Sequence, residues 1–273
     1  MTIKTFILSW GLAAICALVL STPALADADN SGERIIDLKL SSGKHQHTLY
    51  VAPPSPRATI VMLPGGAGDV GLARNGDIRH GHNFVVRSRD MWLAKGYAVL
   101  IPDWINRESL RGARSSPEYA AVVEDLIQYA PTQVALPVFL LGTSQGSIAA
   151  ANGAAHAPAG ALTGVILTES VTVRGGSHET VFDAGLDDIR VPALIVANKD
   201  DRCDVAPPSD ATKIAAAMIH SPDVRVVEVS GGTDRSNRAC GSLSPHGYYG
   251  IEDKVVGIVG SWIDAHIGDT LKR

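Results

Sequence analysis

The stretch PVFLLGTSQGSIAAANGAA, residues 137–155, decides how this chain is read. Its centre is Gly142-Thr143-Ser144-Gln145-Gly146, a G-x-S-x-G pentapeptide. Before it runs a short apolar segment, residues 137–141, of the length and composition of a buried strand. After it come small residues that suit a helix. A serine on a sharp strand-to-helix turn is a nucleophile elbow. The turn strains the serine backbone, and side chains at the flanking glycines would strike the neighbouring strand and helix. The helix start aims N–H groups at the oxyanion that forms when Ser144 attacks a carbonyl.

Working outward, strands and helices alternate. Residues 34–40 alternate apolar and polar, residues 41–44 read as a turn, and residues 46–51 as the return strand. Further strands are expected at 58–63, 97–101, 162–167, 191–197 and 224–229. Helices are expected at 83–95, 117–129, 147–155, 207–219 and 251–267, the last opened by Tyr248 and Tyr249. Proline at 102 is expected to stop the 97–101 strand. This order predicts a mostly parallel sheet, opened by an antiparallel hairpin, with helices on both faces. No repeat or domain linker interrupts it. The segment 169–190 is too short to hold a lid domain.

The chain has 273 residues, 45% hydrophobic and 19% charged, with a net charge of -4. That composition suits a globular domain with a sizeable core. There is no run of Lys or Arg, so nothing points to nucleic acid. Lys4, the apolar run 6–20 and Ala24-Leu25-Ala26 have the pattern of a cleaved signal peptide. The expected division is a signal at 1–26 and one domain at 27–273, secreted or periplasmic and without stable membrane insertion after cleavage. Export governs the cysteines. Cys16 leaves with the signal, and Cys203 and Cys240 remain as an even pair in an oxidising compartment. A Cys203–Cys240 disulfide is expected. Cys203 stands among Asp200, Asp201 and Asp204, and Cys240 six residues before His246, so the bond would tie two loops together.

The elbow, the strand order and the segment Asn198-Lys-Asp-Asp201 together resemble the α/β-hydrolase superfamily over nearly all of the mature chain. The lidless layout is most similar to its small carboxylesterase and dienelactone-hydrolase types. The resemblance implies the chain order nucleophile, acid, histidine. Of nine histidines, that order leaves His220, His246 and His266. His220 closes a helix and His266 lies within one, whereas His246 stands in a loop where catalytic groups gather. The resemblance therefore implies Ser144 as nucleophile and His246 as base. Counted from Asn198, where the family commonly has glycine, the acid is Asp201; Asp200 and, more distantly, Glu169 are alternatives. The oxyanion hole is implied at the Gln145 N–H and at Gly66 in Pro64-Gly65-Gly66.

Candidate pocket residues are Trp104, His82 and Asn83, with ordinary packing or a solvated polar loop as competing readings. His45 and His47 share a strand face, but no further ligands accompany them, so no metal is expected. The implied activity is cleavage of a carboxylic ester or thioester of a small or exposed substrate through an acyl-enzyme. It calls for no cofactor. Acyl transfer, amide cleavage and a non-catalytic binding role on the same fold remain open, as do acyl-chain length and oligomeric state.

Overall fold

Eight strands form one sheet in the order β1-β2-β4-β3-β5-β6-β7-β8. The computed structural model describes Met1 and residues 32–270; the expected signal peptide lies outside the described residues. β1 (Arg34–Lys39) and β2 (His45–Val51) form an antiparallel hairpin, and β2 pairs antiparallel with β4 (Tyr97–Ile105). From there every pairing is parallel: β4 with β3 (Ala58–Leu63), β3 with β5 (Val138–Thr143), then β6 (Gly164–Thr168), β7 (Ala193–Asn198) and β8 (Val224–Val229).

The period-2 alternation of the central strands divides the core into two layers. Val61, Leu63 and Leu140 face one side, where α3 (Pro117–Gln133), α4 (Gln145–His156) and α5 (Ala211–Ala217) pack. Ile60, Met62, Phe139 and Leu141 face the other, covered by α1 (Phe84–Arg87), α2 (Arg89–Ala94) and α6 (Glu252–Thr270). Both faces of β3 and β5 are buried throughout. That is why these strands read as continuous apolar runs rather than alternating ones.

Most elements start or end within two residues of the expected boundaries, and four depart in a way that has a physical reason or changes the element. The 83–95 helix is two short helices meeting at Ser88, whose Oγ donates to the Phe84 carbonyl at 2.6 Å and accepts from the Trp92 indole at 3.1 Å. The 97–101 strand does not stop at Pro102 but runs to Ile105. β3 pairs with it only as far as Leu100, so beyond that point β4 has β2 alone, as an edge strand does, and an edge tolerates proline. α3 passes Tyr129 and ends at Gln133 with Pro131 inside its last turn. The 207–219 helix is a 3-10 turn, Pro208–Asp210, followed by α5.

The segment 169–190 carries only two 3-10 turns, Val181–Asp183 and Leu186–Asp188, so no lid domain stands there. Among the described residues no helix is long and apolar enough to cross a membrane.

Candidate active site

β5 ends at Thr143, and Ser144 is the N-cap of α4, with φ 53° and ψ -125°. A positive φ is costly for a residue with a Cβ, so the surroundings must impose it. They do so through backbone crowding. A Cβ on Gly142 would stand 2.2 Å from the Gly146 carbonyl oxygen, and one on Gly146 would stand 2.1 Å from that of Leu63. The Ser144 N–H donates to Thr168 O at 2.9 Å, tying the turn to β6. The Ser144 carbonyl accepts from the Ser147 hydroxyl at 2.7 Å and from its N–H at 2.9 Å.

His246 reaches this serine from a 3-10 turn, Pro245–Gly247, between β8 and α6. Its Nε2 is 2.9 Å from Ser144 Oγ, and its Nδ1 is 2.7 Å from Asp201 Oδ2. With the Nδ1 hydrogen directed at the carboxylate, Nε2 is left to accept the Ser144 hydroxyl. Asp201 Oδ1 accepts from the Cys203 N–H at 2.8 Å. His246 and Asp201 are buried, at 3% and 7% exposure, while Ser144 keeps an intermediate exposure. One continuous line of hydrogen bonds thus joins the ends of β5 and β7 and the loop after β8. The two neighbouring aspartates lie elsewhere. Asp200 is exposed and accepts from the Gly231 N–H at 2.7 Å. Asp204 lies against the Cys240 sulfur.

The loop after β3 sits directly over the serine. A Cβ on Gly65 would be 3.1 Å from Ser144 Cβ and 3.6 Å from Asn83 Nδ2. Gly66 follows with φ 60°. Among the described residues, neither the Gly66 nor the Gln145 N–H has an acceptor. The Gln145 side chain turns away, donating from Nε2 to Ser177 Oγ at 3.0 Å.

Asn83 lies beside Gly65 as the N-cap of α1, its Oδ1 accepting from Val85 N. His82 is exposed, and its carbonyl accepts from Arg87 Nη1 at 2.6 Å. Arg87 also donates to the Gly247 carbonyl, next to His246, and pairs with Glu252 at 2.7 Å. Trp104 lines a different recess, with Asp37, His45, His47 and Arg107, which includes neither Ser144 nor His246. His45 there pairs with Asp37 at 3.3 Å.

Cys203 and Cys240 form a disulfide, joining the Asp201 loop to the segment that leads to His246. Two sets of His, Cys, Asp and Glu side chains lie close enough to share an ion among the described residues. One is Cys203, Asp204 and Cys240, whose sulfurs are spent in the disulfide. The other is Glu169, Asp201 and His246, in which the last two already pair with each other.

Against known proteins, no family model matches the sequence, and no curated protein matches it. Solved structures do match. An esterase of Pyrococcus furiosus superposes with a TM-score of 0.61 at 10% identity, covering 87% of this chain and 92% of its own. A dienelactone hydrolase of Anabaena variabilis gives 0.59 at 14%, covering 86% and 98%. A carboxyl esterase of Bacillus coagulans gives 0.58 at 13%, covering 86% and 99%.

The chain has the α/β-hydrolase fold. In this fold's layout, three residues that sequence reasoning undervalued pack around His246. Asn198 stands at the end of β7. Its buried side chain donates to Gly231 O and Pro245 O, both at 3.0 Å, binding the end of β7 to the histidine loop. Tyr248 does not open the last helix. It is a fully buried residue with φ 56°, its hydroxyl donating to Val196 O at 2.9 Å. Glu169, directly after β6, is 1% exposed and accepts from Asn198 N at 2.8 Å. Burial pushes its carboxyl well above the ordinary carboxylate range, and the neighbouring Asp201 carboxyl pushes further. Burial likewise raises the Tyr248 phenol, with Glu169 the next cause. A buried tyrosine beside an acid carries no periodic signal; only the pairing of Glu169 with the strand end marked it in advance.

Proposed function

We propose that this chain is a serine hydrolase that cleaves carboxylic esters or thioesters through an acyl-enzyme. The observation that carries the reading is the unbroken Ser144–His246–Asp201 line, at 2.9 and 2.7 Å, with Ser144 on a strained strand-to-helix turn. Ser144 Oγ attacks the substrate carbonyl carbon while His246 Nε2 takes its proton. Asp201 holds the imidazole tautomer and stabilises the imidazolium. The carbonyl oxygen, now an anion, is received by the N–H groups of Gly66 and Gln145. Preorganised donors of this kind are worth roughly 10²–10³ in rate each. His246 then gives its proton to the leaving oxygen or sulfur, and the acyl group stays on Ser144. Water, deprotonated by His246, attacks the acyl carbon and restores the serine.

Esterases and a dienelactone hydrolase share this fold, which adds support without fixing the substrate. The segment 169–190, with only two 3-10 turns, holds no lid domain, which favours small or exposed esters. The N-terminal segment is read as an export signal cleaved after Ala26, leaving the hydrolase domain from residue 27, secreted or periplasmic. The disulfide agrees with an oxidising destination.

The test is hydrolysis of p-nitrophenyl esters from acetyl to palmitoyl by the mature protein beside Ser144→Ala and His246→Ala. Parent activity that each substitution lowers by roughly 10⁴-fold or more supports the reading. Equal rates in parent and variants on every ester refute it.

A further inference from the structure

Glu169 and Asp201 leave one buried carboxyl more than the Ser144–His246–Asp201 line uses. Ligand atoms of Glu169, Asp201 and His246 all lie within 4.8 Å of one another, and all three residues are buried. Two carboxylates that close in a dry site cannot both hold a charge, so at neutral pH the pair keeps a proton. The donors around them decide where it sits. Asp201 is already served on both oxygens, by the Cys203 N–H on Oδ1 at 2.8 Å and by His246 Nδ1 on Oδ2 at 2.7 Å. Glu169 receives one donor, the Asn198 N–H on Oε1; its Oε2 is buried with no hydrogen-bond partner, the nearby Tyr248 hydroxyl being turned to Val196 O. An ionised Glu169 would thus hold a charge against an empty lone pair, at a heavy desolvation cost.

The other titratable group facing the pair is Tyr248, and among the described residues no lysine or arginine compensates Glu169. The Tyr248 proton is committed to Val196 O. Between the tyrosine oxygen and the Asp201 carboxylate, the charged acceptor makes the stronger hydrogen bond. The backbone holds Glu169 in place at φ 44°, a conformation few glutamates adopt.

We propose that Glu169 is a neutral acid whose Oε2 hydroxyl donates to the Asp201 carboxylate, and so acts as a positioning residue that fixes Asp201 beneath His246. The inference rests on the serine-hydrolase reading for its kinetic consequence, though not for the location of the proton. The proton never leaves the pair during turnover: Asp201 stays the anion that faces the imidazolium, and Glu169 supplies it a third donor.

The experiment compares Glu169→Gln and Glu169→Ala with the parent, by pH–rate profile and by infrared difference spectroscopy. Glutamine is permanently neutral and keeps both an acceptor for the Asn198 N–H and a donor for Asp201. Glu169→Gln is therefore expected to keep the parent kcat and the parent acid-limb midpoint. Glu169→Ala removes the donor. A hydrogen bond to a charged group being what it is, kcat is expected to fall roughly ten- to a hundred-fold, with KM unchanged. Its acid limb moves to higher pH, because an Asp201 with one donor fewer holds the imidazolium proton more tightly. If Glu169 were ionised, glutamine would remove a negative charge near His246, and the acid limb would move to lower pH; that result overturns the proposal.

The infrared arm needs no turnover. At pH 7 the parent is expected to show a protonated-carboxyl carbonyl band that Glu169→Gln lacks. An active enzyme without that band overturns the shared proton. A protein with the band but no esterase activity keeps the proton assignment and sinks the hydrolase reading, so the two failures are distinct.

Discussion

Replacing both cysteines of the disulfide, Cys203→Ala with Cys240→Ala, tests how the two loops of the site are held. The bridge spans 37 residues of sequence, from beside Asp201 almost to His246. Closing a loop of that length removes roughly 13 cal/mol/K of entropy from the unfolded chain, about 4 kcal/mol at 25 °C. For a domain of this size each kcal/mol moves the midpoint by about 2–4 °C, so a fall of about 8–16 °C in Tm is expected. The geometry at Asp201 does not depend on the sulfur, because the donor to Oδ1 is the backbone N–H of residue 203. The folded double variant is therefore expected to react with a fluorophosphonate at the parent's rate well below its own Tm. Thermal and urea unfolding followed by circular dichroism, beside labelling kinetics at 20 °C, read these quantities. A stability loss under about 1 kcal/mol would refute the loop-closure reasoning. Parent-like stability with collapsed labelling would show that the bridge holds the site's geometry instead.

Gly146→Ala is expected to destabilise the protein by more than about 3 kcal/mol, since its Cβ would lie 2.1 Å from Leu63 O and 2.9 Å from Pro64 O, both backbone atoms; a thermal melt matching the parent's would contradict this. Arg87→Ala strips donors from the His82 and Gly247 carbonyls and leaves half-buried Glu252 without its ion-pair partner, with only the Gly250 N–H still donating to it, at an expected cost of about 2–3 kcal/mol in urea unfolding and with slower labelling of Ser144. An unchanged labelling rate would show that Arg87 has no part in holding the histidine loop. Glu169→Gln is expected to gain stability over the parent as pH rises. In the parent the folded carboxyl stays protonated well above the pH at which the unfolded one ionises, so parent stability falls with rising pH from about pH 4.3 upward. Glutamine has no such term. Unfolding at pH 4 and pH 8 checks it, and a stability difference that does not grow between those values would rule it out.

The parts of this molecule legible in its sequence are those with a periodic or punctuated signal. Residues 58–63 and 138–141 are apolar runs bounded by turn residues, and they are the buried central strands. The glycines at 142 and 146 announced the crowding that the carbonyls of Gly146 and Leu63 impose. The mostly parallel sheet followed from the alternation of strands and helices, and the opening hairpin from the turn between its two strands; the placing of β4 between β2 and β3 did not. What could not be read depended on partners distant in sequence. Pro102 looked like a strand end because nothing local reveals that β3 stops pairing at Leu100. Ser88 looked like mid-helix because its side-chain bonds to Phe84 and Trp92 are invisible until the chain folds. At the candidate site, Asn198 looked like a mere departure from glycine, yet its amide spans to residues 231 and 245. Tyr248 looked like a helix start, whereas its burial against Glu169 and Val196 comes from β6 and β7 meeting the histidine loop.

The most direct measurement is a mass-spectrometric one. Mature protein is treated with a fluorophosphonate, and the adduct is mapped by peptide sequencing in the parent, Ser144→Ala and His246→Ala. A nucleophilic serine activated by His246 predicts one adduct per chain, on Ser144, absent from Ser144→Ala and strongly slowed in His246→Ala. No adduct on the folded parent, or an adduct on another residue that persists in Ser144→Ala, would contradict the account.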